Sequence, residues 1–248
     1  MKTGQQQARS PHVPCRYRVL LLASLLACFD ASSGYSAERS ADPLKLFEQR
    51  YQPSRSLSVV FLERFLESGQ LMREEAGKAY FLRPGKMRWE YEKPEKNLFL
   101  VDGKYVWFYA PADRTVTRVP ADKSEDWRTP IAFLTSGAKL SRICAKVERL
   151  SSEPASQPNA FVYSCILKNG ADSSPSGGES RPISFEITDK GELTRLKMDE
   201  GAGQSLEFLF RQWEWNPPLD KAMFAFSPPL GVAIVNGLLP DTTGTRQK

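Results

Sequence analysis

Histidine is nearly missing: His12 is the only one in 248 residues, and it lies in a stretch that reads as a removable leader. The exported chain is expected to contain none. That excludes Ser-His-Asp and Cys-His nucleophile systems, His-ligated zinc and His general-base chemistry. No G-x-S-x-G, P-loop or G-x-G-x-x-G motif is present, so no cofactor is implied and no nucleophile–base pair can be named. Nor does any apolar run reach the ~20 residues of a membrane-spanning helix. The reading is of a protein that is not an enzyme.

The longest uncharged apolar run is residues 19–29, preceded by Lys2, Arg9, Arg16 and Arg18. A basic start, a short apolar run and then small residues make a secretory signal peptide. Residues 1–37 are expected to be this leader and 38–248 a single domain. Cleavage could follow Ser33 or Ala37. Leu25-Leu26-Ala27-Cys28 also resembles a loose lipobox, in which Cys28 would become a lipidated N-terminus. The leader takes four basic residues and one acid from totals of 34 and 29, leaving 30 and 28, a net charge of +2. A near-neutral chain without Lys/Arg blocks has no footprint for nucleic acid.

Outside the leader two cysteines remain, Cys144 and Cys165. In an exported protein such a pair reads as a disulfide, worth about 3 kcal/mol for a loop of this length in the chain-entropy model. A redox pair would want a closer C-x-x-C spacing.

Asp42-Pro43 is a helix start, with an N-cap carboxylate and Pro at the first helical position. Leu44, Phe47 and Tyr51 then share one face, and Pro53 ends the helix. From residue 56 the period changes to short runs rich in aromatic and β-branched residues, at 56–68, 78–83, 86–92, 97–101, 105–109 and 115–119. Residues 129–137 repeat the helix grammar with Thr129, Pro130 and a closing Gly137. Strands resume at 139–150, 160–168, 181–188, 192–198 and 204–215, with a Gly/Ser/Pro-rich loop at 169–180. About eleven strands without a βαβ rhythm predict a mainly β fold, an antiparallel sheet strongly curved or nearly closed with short helices on one side.

The run from Lys86 to Glu92 alternates strictly, placing Met87, Trp89 and Tyr91 on one face and charges on the other. Large residues recur at Phe81, Trp107 and Phe208. Such a sheet either fills its interior with its own side chains or leaves an apolar cavity for a lipid-like ligand.

Residues 80–91 (Tyr80-Phe81-Leu82-Arg83-Pro84-Gly85-Lys86-Met87-Arg88-Trp89-Glu90-Tyr91) resemble the periplasmic outer-membrane lipoprotein carrier family. The resemblance continues through residues 100–109 and Pro111, returns at Thr129-Pro130, and closes on Phe224-Ala225-Phe226-Ser227-Pro228-Pro229-Leu230-Gly231-Val232. It implies an incomplete, unclosed antiparallel β-barrel of about eleven strands, with helices as a lid over an apolar cavity. The implied lining is Phe81, Met87, Trp89, Tyr91, Trp107, Phe133 and Phe208. The implied role of Arg83 is to hydrogen-bond to lid backbone, against the plainer alternative of an ion pair with Glu92 or Glu95. The implied activity is that of a monomeric periplasmic chaperone. It would take acylated lipoproteins from an inner-membrane ABC transporter and pass them to an outer-membrane lipoprotein receptor. A regulatory or sensory half-barrel is the alternative. Residues 65–76 match the family poorly, 169–180 look like an insertion, and the cysteine pair is not something the family requires.

Overall fold

The computed structural model describes residues 42–121, 139–168 and 183–237. The elements run α1 (Pro43–Tyr51), β1 (Ser56–Glu67), β2 (Gln70–Leu82), β3 (Lys86–Lys93), β4 (Leu98–Val101), β5 (Tyr105–Ala110) and β6 (Thr115–Pro120). They continue with α2 (Leu140–Ile143), β7 (Cys144–Arg149), β8 (Ala160–Leu167), β9 (Ile183–Thr188), β10 (Leu193–Gly201), β11 (Gln204–Trp215) and β12 (Ala233–Asn236). A 3-10 turn at Lys221–Phe224 lies between the last two strands.

The twelve strands of the described residues join one sheet in the order β12-β6-β5-β4-β3-β2-β1-β11-β10-β9-β8-β7. Its two ends are not hydrogen-bonded to each other, so the sheet is unclosed. Every pairing is antiparallel except β12 on β6. The sheet is strongly curved. Trp89 on β3 and Phe208 on β11 are three strand spacings apart, ~14 Å on a flat sheet, yet their ring centroids are 5.5 Å apart.

Local chemistry sets the elements. Asp42 caps α1, its side chain accepting from Leu44 N at 3.1 Å, with Pro43 in the first turn. Asp102 Oδ1 accepts from the backbone N–H groups of Lys104 and Tyr105, both at 2.7 Å, and closes the β4–β5 hairpin. At Gly77 any Cβ would lie 1.9 Å from Glu90 O, so only glycine lets β3 approach β2 there.

Three boundaries differ from the sequence reading. β2 begins at Gln70 rather than residue 78. Its first half is largely exposed, so no inward face marks it in the pattern. Residues 140–143, expected as strand, form the helical turn α2, because Leu140 and Ile143 at i and i+3 both face the interior. β12 was not expected; all four of its residues are exposed, and backbone pairing to β6 defines it. The expected helix at 129–137 and the loop at 169–180 lie outside the described residues, as do residues 1–37.

Candidate functional site

The inward face of the curved sheet carries one continuous apolar cluster. Phe81, Met87, Trp89, Tyr91 and Phe208 all belong to it, the most exposed at 5%. Trp89 sits at its centre, edge-on to Phe61 at 4.7 Å, Phe81 at 5.9 Å and Phe208 at 5.5 Å. Tyr91 is buried with its hydroxyl donating to Glu63 Oε2 at 2.8 Å. The buried Glu63 carboxylate also has Arg73 at 3.9 Å. Trp89 Nε1 and Gln52 Nε2 are buried donors that reach no acceptor among the described residues.

Trp107 does not share this face. On β5 the inward positions are Val106 and Phe108, and the pleat turns Tyr105, Trp107 and Tyr109 to the opposite side. There Trp107 packs with Leu100 and Val116 under Phe226 of the C-terminal segment, its centroid 5.4 Å from the Phe226 ring. Its indole donates to Asp102 Oδ2 at 2.8 Å. Burial pushes the Asp102 carboxyl up, but the bonds from Tyr105 N, Trp107 Nε1 and Lys104 N, with Lys86 nearby, outweigh it and hold the group below its ordinary value. Phe133 lies outside the described residues.

α1 lies against the inward face and contributes Phe47 and Tyr51, 2% and 3% exposed, to the same cluster. Three sets of polar contacts hold it. At its C-terminal end Arg83 Nη1 donates to Gln52 O at 2.5 Å and Nη2 to Tyr51 O at 2.6 Å. These carbonyls belong to the end of a helix, where no intrahelical donor remains for them. Burial lowers the Arg83 pKa, which still leaves the guanidinium charged.

The second set comes from the β9–β10 turn. Arg50 pairs with Glu192 at 2.8 Å, and Leu193 N donates to the Tyr51 hydroxyl at 3.2 Å. Gly191 is needed here, since a Cβ would lie 2.6 Å from Leu46 C and Phe47 N, and its φ is +76°. In the third, Glu48 Oε1 accepts from Leu140 N at 2.9 Å and ties α1 to α2. The sequence reading had singled out Arg83 but none of Arg50, Gly191, Glu192 or Glu48. Asp189, Lys190 and Gly191 are residue types of a hairpin turn, but nothing local says that a helix from far away seats on it.

Cys144 and Cys165 are joined, with S–S 2.05 Å and Cα–Cα 5.4 Å, linking the first residue of β7 to β8. Beside the bridge lies an apolar cavity of about 20 Å³, walled by Leu140, Ile143, Leu167, Ile183, Phe185 and Leu196. Among the described residues no group of His, Cys, Asp and Glu could hold a metal ion, and no helix is long and apolar enough to cross a membrane.

An unclosed, curved antiparallel sheet with an aromatic inner face and a helix seated on it defines an incomplete β-barrel built around an apolar interior. Residues 55–227 match the family described as Outer membrane lipoprotein carrier protein LolA, and the chain belongs to that family. It is 28% identical over 226 residues to the outer-membrane lipoprotein carrier protein of Chromobacterium violaceum, covering 87% of this chain and 98% of the relative. To that of Azotobacter vinelandii it is 31% identical over 220 residues, covering 88% and 98%. Among solved structures, a LolA superfamily protein from Nitrosomonas europaea superposes with a TM-score of 0.40 at 10% identity, over 74% of this chain and 96% of that one.

Proposed function

We propose that this protein is a periplasmic chaperone that shields the acyl chains of lipoproteins. It accepts them as an inner-membrane ABC transporter releases them and hands them to an outer-membrane receptor. It acts as a monomer, by binding rather than by catalysis, after residues 1–37 are removed from a carrier domain spanning 38–248. Membership of the carrier family supports this reading. The observation that carries it is the seating of α1. The helix places Phe47 and Tyr51 on an apolar inner face and is fastened by a few polar contacts, among them the two bonds from Arg83. Such an element can leave and be replaced by another apolar group.

In this reading Phe81, Met87, Trp89, Tyr91 and Phe208 contact the chains once α1 has moved, and Phe133 is a further candidate. The test is displacement of an apolar fluorophore by acylated peptides of increasing chain length. Each buried CH₂ contributes ~0.8 kcal/mol, so affinity should climb steadily with length. An affinity that is flat across the series would mean that the interior is a permanently filled core, and would sink the proposal.

A further inference from the structure

Trp89 is fully buried, and its indole N–H meets no acceptor among the described residues. This is unusual, because a buried donor without a partner forfeits the hydrogen bond it made to water in the unfolded chain. Phe would place a smaller, wholly apolar ring there and carry no such donor. The surroundings do not relieve it: Trp89 is ringed by Phe61, Phe81, Phe208 and Phe210. The other inward residue of β3 with a polar atom, Tyr91, has its hydroxyl bonded to Glu63. Among the described residues of the inner aromatic cluster, Trp89 thus carries a buried donor that is unspent and surrounded by apolar rings.

Only some apolar ligands could use it. A plain hydrocarbon has no acceptor. An acyl group is an apolar chain with a single carbonyl oxygen at its head, and so supplies both what the rings select and what the indole lacks. We infer that Trp89 Nε1 donates to a carbonyl oxygen of the bound acyl group, and that this bond makes the site selective for acyl over alkyl chains. The inference rests on the reading that the inner face takes acyl cargo and adds the group that recognises it. A donor satisfied only in the loaded state favours loading, because the hydrogen bond is gained without losing one in the closed state.

The experiment compares two lipids of equal chain length, a diacyl glycerophosphocholine with twelve-carbon ester chains and its dialkyl ether counterpart, which lacks both carbonyls. Each is titrated against an apolar fluorophore bound to the full mature protein. The wild type should favour the ester by about five- to tenfold, the worth of one neutral hydrogen bond. Trp89→Phe should abolish the preference, bringing the ratio of ester to ether affinity to about one whatever happens to the two affinities themselves. A second measurement needs no variant: in protein labelled with ¹⁵N-tryptophan, the Trp89 indole proton should shift downfield with the ester and not with the ether. Equal affinity for both lipids in the wild type, or an indole signal that responds alike to both, overturns the inference while leaving the carrier reading standing. If neither lipid displaces the fluorophore, both fall.

Discussion

Arg83 offers the sharpest test of how cargo is held and released. Its two terminal nitrogens donate to the adjacent carbonyls of Tyr51 and Gln52, at 2.6 and 2.5 Å, so one planar fork spans both acceptors. Charge-assisted hydrogen bonds are worth about 1.5–3 kcal/mol each. The guanidinium is only half-buried, and the carbonyls can hydrate when α1 lifts, so a net value near 1.5 kcal/mol for the pair is the cautious figure. Even that shifts the equilibrium between seated and lifted helix about tenfold. Arg83→Leu removes both bonds and therefore favours the lifted, loaded form. The variant should fold, accept lipoprotein from inner membranes and fail to hand it on. In Arg83→Lys the charge survives, but a single ammonium cannot reproduce the fork, so that variant should fall between wild type and Leu. The assay is a two-step transfer with purified membranes, scoring release from the inner membrane and delivery to the outer membrane separately. Delivery at the wild-type rate by Arg83→Leu, or a Leu variant that melts far below wild type, would refute the reasoning and leave Arg83 an ordinary structural residue.

Three further outcomes are expected. Replacing Cys144 and Cys165 together with Ala should cost about 3 kcal/mol by the chain-entropy argument, read as a lower denaturant midpoint; non-reducing mass mapping of periplasmic material should find the two joined, and free thiols there would contradict the bridge. Gly191→Ala puts a Cβ 2.6 Å from the α1 backbone and should unseat the helix, raising affinity for an apolar fluorophore while lowering thermal stability; unchanged affinity would mean that the turn does not govern the helix. Asp102 has its carboxyl held below the ordinary value in the folded state, so its stabilisation is present above the unfolded Asp pKa of about 3.9 and is lost as pH falls through the lower folded value. Asp102→Asn should therefore flatten the fall in melting temperature on the acid side, and parallel curves for variant and wild type would argue against the assignment.

Much of the sheet was legible because its strands are short and their turns carry explicit chemistry. Asp102-Gly103 and Asp189-Lys190-Gly191 mark hairpins by residue type alone, and the alternation from Lys86 to Glu92 marks an inner and an outer face. Alternation within one strand does not say which face is inner on the next. Trp107 looked like a partner for Trp89, but register pairs it with Leu100 and Arg118 on the outer face. β12 was illegible for a different reason: it buries no side chain and owes its conformation to the edge of β6. The contacts of α1 were hidden because they are long-range. Arg50 meets Glu192 across 142 positions and Glu48 meets Leu140 across 92.

In the proposed reading, seating α1 and binding an acyl chain compete for the same apolar surface, and rough magnitudes put the competition close. Phe47 and Tyr51 are almost fully buried, and full burial of a side chain of the Phe class is worth about 1.5–3 kcal/mol. With the cautious figure for Arg83, these contacts alone make lifting the helix cost roughly 4.5–7.5 kcal/mol. A bound chain returns ~0.8 kcal/mol per methylene, so about six to nine methylenes offset the lost seating before any net affinity appears. Short chains should therefore leave the helix seated, and membrane-length chains should displace it. Losing the Arg83 bonds lowers the break-even point by only about two methylenes. In the proposed reading, Arg83 would then bias release without deciding whether long chains bind at all. On that reading uptake would be governed by the apolar area that the chain offers, whereas the return of the helix would depend on the few polar bonds that exist only when it is seated.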